Sequence, residues 1–194
     1  MRGRRAGRAQ DDQQALRLAQ FRLALRMARE DLIVLAQRLD DCPPWLGGAA
    51  ADEWKLAAGR YAAARAALAG VGSLADVLHV HSELREAWFH LARSDAFAYD
   101  EIPPSSSEPC FFDPRHGPAT AEVEWLDLGV VRACRADAER IASGFAPHRR
   151  LLTLTTFTDQ ADTSAWQRLM AAHARGSGYA LGALYAGRAD PLIV

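Results

Sequence analysis

The chain has 194 residues, of which 49% are hydrophobic and 24% are charged, values typical of a globular protein that can bury a core. Its formal net charge of −1 excludes a general electrostatic attraction to nucleic acid or anionic lipid. The 3 cysteines do not suit the disulfide framework of a small secreted domain, and no apolar stretch reaches the roughly 20 residues that a membrane span needs, so we expect a cytoplasmic protein.

Residues 1–9 form a basic segment with arginine at positions 2, 4, 5 and 8, and we expect a disordered arm. The residues that follow are amphipathic and lack the apolar core of a secretory signal. Four arginines ahead of a helix could contact phosphates. Acidic residues at Glu122, Glu124 and Asp127 would not extend such a basic patch, so nucleic acid is an unlikely partner.

Residues 10–101 carry three amphipathic helical patterns separated by short breaks. In the first pattern, from about 10 to 41, apolar residues recur every seventh position, which is the period of a coiled-coil seam. Short breaks between long helices favour antiparallel neighbours, so we predict an antiparallel three-helix coiled-coil bundle. The predicted seam residues are, helix by helix, Leu18, Phe21, Leu25, Ala28, Leu32, Leu35 and Leu39; Trp54, Ala57, Tyr61, Ala64 and Leu68; and Leu74, Val77, Leu78, His81, Leu84, Trp88 and Leu91.

Two local signals mark boundaries along this part of the chain. Ser73 and Asp76 are spaced as in a capping box, which predicts the start of the third helix. The segment 102–109 (IPPSSSEP) is poor in helix formers and has little to bury. We therefore predict that it is a Pro/Ser linker between the helical bundle and a C-terminal module.

Residues 110–194 are predicted to form a small α+β module, which makes the whole chain α+β and mostly α. Val123 and Trp125 alternate with glutamates, as in a half-buried strand, and the segment 130–133 can return as the second strand of a hairpin. The further predicted elements are a short helix at 136–143, a strand at 151–157, a helix at 163–174 and a tail at 176–187 rich in glycine and tyrosine.

Two Cys-x-x-Asp steps flank the predicted hairpin, and the second lies at a predicted helix start. This order of knuckle, hairpin and helix is that of a treble-clef zinc finger, so we predict a degenerate module of that type. Zinc accepts thiolate, imidazole and carboxylate ligands in one tetrahedron. The candidate metal ligands are Cys110, Asp113, His116, Cys134 and Asp137, with both cysteines and two of the other three expected in a site.

The same residues have a metal-free alternative, because carboxylates are unusual in structural zinc sites. Asp113 could close an Asx-turn, and Asp137 could accept backbone N–H groups in the first turn of a helix. Cys110 and Cys134 would then be small buried residues. A disulfide between them is a third alternative, which a reducing compartment disfavours. The cofactor prediction is therefore none, or zinc.

The strings at 110–118 (CFFDPRHGP), 123–125 (VEW) and 134–138 (CRADA) resemble the C-terminal cytoplasmic region of bacterial TPM-domain membrane proteins. The similarity extends to a helical stretch at 28–35 and a Gly/Tyr-rich end at 178–185. It implies a helical coiled coil followed by the compact module, in the cytoplasm. The TPM domain, which is linked to phosphatase or assembly roles, and the membrane spans have no counterpart in this sequence. The resemblance therefore implies no activity.

The sequence contains no set of residues recognisable as a catalytic site. We therefore expect a non-enzymatic interaction or scaffold protein in the cytoplasm. Heptad seams on long helices favour self-association, so a protein partner or a homodimer through the helices is expected. The alternative is a zinc-binding module that contacts nucleic acid or another protein.

Overall fold

The computed structural model describes residues 2–125 and 128–150, with side chains described at position 14 and from position 17 onward. The predicted strand at 151–157, helix at 163–174 and Gly/Tyr-rich tail lie outside the described residues. The fold is mostly helical with one small antiparallel sheet, so the predicted α+β class is confirmed. In chain order the elements are α1 (Arg2–Asp40), α2 (Gly48–Ala69), α3 (Leu74–Ala98), a 3-10 turn (Pro114–His116), β1 (Ala121–Glu124), β2 (Val130–Ala133) and α4 (Arg135–Ala142).

Helix α1 begins at Arg2 and so includes the segment that was predicted to be a disordered arm. That part of the prediction is wrong for residues 2–9. The segment contains no proline, and its arginines and alanines are strong helix formers that outweigh the cost of Gly3 and Gly7. A continuous backbone hydrogen-bond ladder therefore extends the amphipathic helix toward the N-terminus.

One apolar core is shared by α1, α2 and α3. Ala28, Leu32 and Leu35 are buried, as predicted for the first seam, but Leu18 is 44% exposed and the core also takes in Leu23 and Met27. The buried face of α1 is wider than a heptad seam because α1 contacts both other helices. On α2 and α3 the predicted pattern is confirmed for the buried residues Trp54, Ala57, Ala64, Val77, His81, Leu84, Trp88 and Leu91.

The start of α3 is the predicted capping box. The Ser73 hydroxyl accepts the backbone N–H of Asp76 at 3.2 Å, and the Asp76 carboxylate accepts the N–H of Ser73 at 2.8 Å. Two N–H groups that have no partner within the helix are thereby satisfied. The third helix therefore starts where its local sequence predicts.

The segment 102–109 has no helix or strand, as predicted, but it is held against α3. Arg93 Nη1 donates to the Pro104 carbonyl at 3.2 Å, and the Ser107 hydroxyl donates to Glu86 at 2.9 Å. The segment ends in an isolated bridge between Pro109 and Pro118. The module consequently starts beside the helices, and its 3-10 turn contacts α3.

The predicted hairpin is confirmed as β1 and β2, paired in the antiparallel register that sets Ala121 opposite Ala133. Gly129, with a φ of +73°, occupies the left-handed conformation that closes the turn. Phe112 is fully buried under the hairpin and meets Trp125 edge to face, with ring centroids 5.0 Å apart. This small core holds the two strands over the segment that begins at Cys110.

A buried ion-pair network joins the module to α1. Arg150 is 2% exposed, and its Nη1 lies 2.7 Å from Oδ1 of the fully buried Asp31. Arg150 Nη2 also donates to Glu30 at 2.7 Å. Burial raises the pKa of Asp31 to about 7, and the guanidinium groups of Arg150 and Arg115 oppose that rise. The last described residue of the module is therefore anchored in the core of the helices.

Within the part of the chain that the structure describes, no helix combines the length and the apolar character needed to cross a bilayer.

His81 makes the stability of the helical core depend on pH. It is fully buried on α3, and its Nε2 lies 2.9 Å from the Ala24 carbonyl of α1. Burial lowers its pKa to about 4, against the opposing effect of that hydrogen bond, whereas an unfolded chain takes up the proton near pH 6.5. Between these values the unfolded state binds more protons, so stability falls as pH falls from 6.5 toward 4.

We expect His81→Gln to remove this part of the acid sensitivity, because glutamine can still donate to the Ala24 carbonyl but does not titrate. Between pH 7 and 4.5 the wild type should lose about 2–3 kcal/mol more unfolding free energy than the variant, measured by denaturant unfolding. His79→Gln, on the exposed face of the same helix, is the control and should follow the wild type. An unchanged pH slope in His81→Gln would contradict the prediction.

Candidate metal centre

Four potential metal ligands come from two short segments on either side of the hairpin. Cys110 precedes the 3-10 turn and His116 is the last residue of that turn, while Cys134 is the N-cap of α4 and Asp137 lies in the first turn of that helix. The backbone N–H of Phe111 donates to the Arg132 carbonyl at 2.9 Å, which ties the first segment to β2 immediately before Cys134. The hairpin therefore brings the two Cys-x-x-Asp steps together, as their spacing around it predicted.

The first segment is shaped by turn chemistry. Asp113 Oδ1 accepts the backbone N–H of Arg115 at 3.0 Å, which closes the predicted Asx-turn. Gly117 follows with a φ of +84°, and its carbonyl accepts the N–H of Cys110 at 3.0 Å. A side chain at Gly117 would be strained in that left-handed conformation. The loop thus turns back on itself and sets His116 beside Cys110.

One ligand atom from each of Cys110, His116, Cys134 and Asp137 lies within 4.8 Å of the others. Asp137 Oδ2 is 2.8 Å from His116 Nδ1, 3.3 Å from Cys110 Sγ and 3.4 Å from Cys134 Sγ. In a tetrahedral site with metal–ligand bonds of about 2.0–2.3 Å, the ligand atoms are about 3.3–3.8 Å apart. The cluster could therefore hold a metal ion after small side-chain movements.

Asp113, the remaining candidate ligand, lies outside this cluster. Its carboxylate is taken up by the guanidinium of Arg115, with Nε 3.0 Å from both oxygens. Asp113 Oδ2 lies 4.0 Å from His116 Nε2. Of the two carboxylates that follow the cysteines, only Asp137 faces the other ligands. Asp113 instead closes the turn, and its charge raises the pKa of His116.

The local charges favour an anionic sulfur beside a cationic ring. A hydrogen bond from Cys134 lowers the pKa of Cys110 to about 5, despite the opposing effect of burial. The same contact, together with burial, raises the pKa of Cys134. Burial lowers the pKa of His116, but its hydrogen bond with Cys110 and the carboxylates of Asp113 and Asp137 raise it to about 9. Without a metal, protonated His116 supplies the positive charge beside the anionic sulfur. A bound cation would supply that charge instead.

Asp137 is also held from outside the cluster. The backbone N–H of His148 donates to Asp137 Oδ1 at 2.8 Å. Burial raises the pKa of Asp137, but this hydrogen bond and the imidazole of His116 lower it overall. The His148 side chain lies nearby, with Nδ1 3.8 Å from the same oxygen. His148 was not predicted as a site residue, because no motif or spacing relates it to the Cys-x-x-Asp steps. It is brought to the site by the irregular segment after α4.

The centre borders a cleft of about 780 Å³ between the end of α3, the segment 102–106 and the module. His116, Cys134, Asp137 and His148 line the cleft. Cys110, His116 and Asp137 occur in the order of a thiol–imidazole–carboxylate triad, which could activate a nucleophile. Cys110, however, is fully buried and is not among the described residues that line the cleft. An external substrate would not reach its sulfur, so this arrangement favours binding of an ion over covalent catalysis.

Comparisons with known proteins gave no matching family model, curated protein or solved structure.

The different surroundings of the two aspartates predict different effects of substitution. Asp137→Asn should weaken metal binding by at least about tenfold, a loss that removal of an outer-sphere partner alone can cause. Asp113→Asn should retain metal binding but lower stability by about 1–3 kcal/mol, because the half-buried guanidinium of Arg115 loses its charged acceptor. Titration with Co²⁺, followed by its absorption spectrum, measures the first effect, and denaturant unfolding of the metal-free proteins measures the second.

Each of these variants is the matched control for the other, because both change a carboxylate to an amide at the third position after a cysteine. Equal loss of Co²⁺ binding in both variants would contradict the different roles assigned to the two aspartates. Unchanged binding in Asp137→Asn would remove Asp137 from the ligand set.

Proposed function

We propose that the protein is a zinc-binding, non-enzymatic interaction protein in which Cys110, His116, Cys134 and Asp137 hold the ion. The convergence of these four ligand atoms within 4.8 Å is the observation that carries the proposal. Two thiolates and an imidazole are ligands that zinc prefers, and one carboxylate is compatible with its tetrahedral coordination. In the metal-free alternative, the same four groups are satisfied by hydrogen bonds with one another and with backbone N–H groups, such as that of His148 to Asp137.

The proposed architecture places this zinc in a degenerate treble-clef module beside an antiparallel three-helix bundle. The order of the elements supports the treble-clef module. Two ligands come from the segment around the 3-10 turn, a hairpin follows, and two ligands come from the start of a helix. The three-helix bundle is supported by the short connections at 41–47 and 70–73 and by the core that α1, α2 and α3 share.

A structural role for zinc fits the ligand set better than a catalytic one. Catalytic zinc sites usually have three protein ligands and leave the fourth position for water or substrate. Here four protein groups converge, and Cys110, Cys134 and Asp137 are buried. Thiol ligands of this kind stay reduced in the cytoplasm, which is the compartment that we propose.

The proposal predicts about one zinc per chain in protein purified without a histidine tag. Zinc at 100 times its Kd should raise the unfolding free energy by about 2.7 kcal/mol. The double variant Cys110→Ser, Cys134→Ser should lose both the metal and this stabilisation. Elemental analysis and unfolding with and without a chelator measure the two effects.

Cys42→Ser provides the matched control, because Cys42 is exposed and lies outside the cluster. Its zinc content should equal that of the wild type. A well-folded wild type without metal, insensitive to added zinc and to chelators, would support the metal-free alternative and contradict the proposal.

For the interaction role, we propose a protein partner, with a second copy of the chain as the first candidate. Trp45 and Tyr99 are 60% and 69% exposed and contact each other edge to face, with ring centroids 6.3 Å apart. Ile102 is 91% exposed and lines the cleft together with Tyr99. Exposed aromatic side chains that adjoin a cleft are typical of protein-binding surfaces. We name Trp45, Tyr99 and Ile102 the aromatic patch.

If the aromatic patch is the dimer surface, Trp45→Glu with Tyr99→Glu should weaken self-association by at least about tenfold in sedimentation equilibrium, because each change places a charge in an apolar contact. Leu56→Glu, at an exposed apolar position on α2, is the control and should dimerise like the wild type. Loss of the dimer in Leu56→Glu alone would indicate that the exposed face of α2, and not the aromatic patch, is the dimer surface. A wild type that is monomeric at all concentrations would contradict the homodimer.

A further inference from the structure

We infer that Arg150 is a positioning residue for the metal centre, and that through it the occupancy of the centre controls how firmly α1 is held to the module. The inference rests on the proposed metal-binding function. It concerns regulation of that site by a residue whose guanidinium donates hydrogen bonds to α1.

Arg150 is anchored on α1. Its guanidinium is buried and contacts three groups on one turn of α1: the Met27 carbonyl at 3.3 Å, Glu30 Oε2 at 2.7 Å and Asp31 Oδ1 at 2.7 Å. A guanidinium that is held by two carboxylates and a carbonyl has little freedom to move. Residue 150 is therefore fixed relative to α1.

A short segment connects Arg150 to the proposed ligand Asp137. Two residues earlier, the backbone N–H of His148 donates to Asp137 Oδ1 at 2.8 Å. This hydrogen bond occupies one carboxylate oxygen and leaves Oδ2 directed at His116 and the two cysteines. Because only one residue separates His148 from Arg150, the anchorage on α1 limits where the N–H donor can lie. The orientation of Asp137 thus depends on Arg150.

A second path reaches the centre through its other half. Arg115 Nε lies 3.9 Å from Asp31 Oδ1 and also contacts both carboxylate oxygens of Asp113. Arg115 immediately precedes the proposed ligand His116. Asp31 therefore faces two arginines, one connected to each half of the metal centre. A movement of α1 at Asp31 would disturb both halves together.

Outer-sphere hydrogen bonds that orient a metal ligand typically contribute about 10–100-fold to metal affinity. Binding linkage is reciprocal, so a contact on α1 that strengthens metal binding must itself be strengthened when the metal binds. Metal binding is therefore expected to fix the segment 148–150 and, through Arg150, the turn of α1 at 27–31. Loss of the metal should loosen this attachment.

The direct test is the zinc affinity of Arg150→Ala, measured by competition with a chromophoric chelator. We expect it to be weakened by about tenfold or more, with Arg150→Lys recovering part of the loss because lysine keeps the charge but not the two-pronged geometry. Arg149→Ala, at the exposed neighbouring arginine, is the matched control and should bind zinc like the wild type. The Co²⁺ spectrum of Arg150→Ala should also change, since the orientation of the carboxylate ligand changes.

A second measurement needs no variant and so stands even if Arg150→Ala folds poorly. Amide hydrogen exchange of the wild type, with zinc and with a chelator, should show greater protection of α1 around 27–31 when zinc is bound. The N-terminal half of α2, outside the path, is the internal reference. In Arg150→Ala this zinc-dependent difference should disappear.

The outcomes separate the two proposals. A wild type that takes up no zinc overturns the proposed function and the inference together. Zinc uptake with equal affinity in wild type and Arg150→Ala, or without a change in exchange at 27–31, overturns the inference alone. Weaker binding in Arg149→Ala to the same degree would also overturn it, because the effect would then be one of general charge.

Discussion

The contact between Arg150 and Asp31 determines how the module lies against the helices. Removing two such charges from water costs several kcal/mol per ion, and the cost is offset only when the partners meet in good geometry. Glu30 and Arg115 complete the charge balance around the pair. Apolar contacts allow two surfaces to shift relative to each other, whereas a buried ion pair is favourable in few relative positions. The contact holds the segment that ends at Arg150 against α1, while the 3-10 turn and the segment 102–109 lie against α3.

The candidate metal centre is built from two local structures joined by the hairpin. Asp113 and Gly117 shape the turn that carries His116, and Cys134 caps the helix that carries Asp137. The short hairpin brings the two halves together at a small cost in loop-closure entropy. The turn and the cap are each satisfied within their own half, by the Asp113 carboxylate in the first and by the Cys134 sulfur in the second. A bound ion would mainly join the halves, which is the usual contribution of a structural metal in a small module.

Local signals in the sequence were the most reliable part of the predictions. The capping box at Ser73, the hairpin and the pairing of the two Cys-x-x-Asp steps depend on residues close together in the chain, and the structure contains all three. The roles of the two aspartates could not be separated in this way. Asp113 and Asp137 have the same spacing from a cysteine, and only Arg115 beside one and the N–H of His148 beside the other make them different.

The sequence by itself determined the mostly helical α+β class, the apolar faces of α2 and α3, and the residues from which a metal centre can be assembled. These features follow from periodicity, turn chemistry and ligand type, which act over a few residues. The tertiary structure alone decided that Asp31 lies within the buried face of α1, that Arg150 reaches it from the far end of the described chain, and that Asp113 is not part of the ligand cluster. A buried charge is tolerated only beside its partner, and which partner is near depends on how distant segments pack.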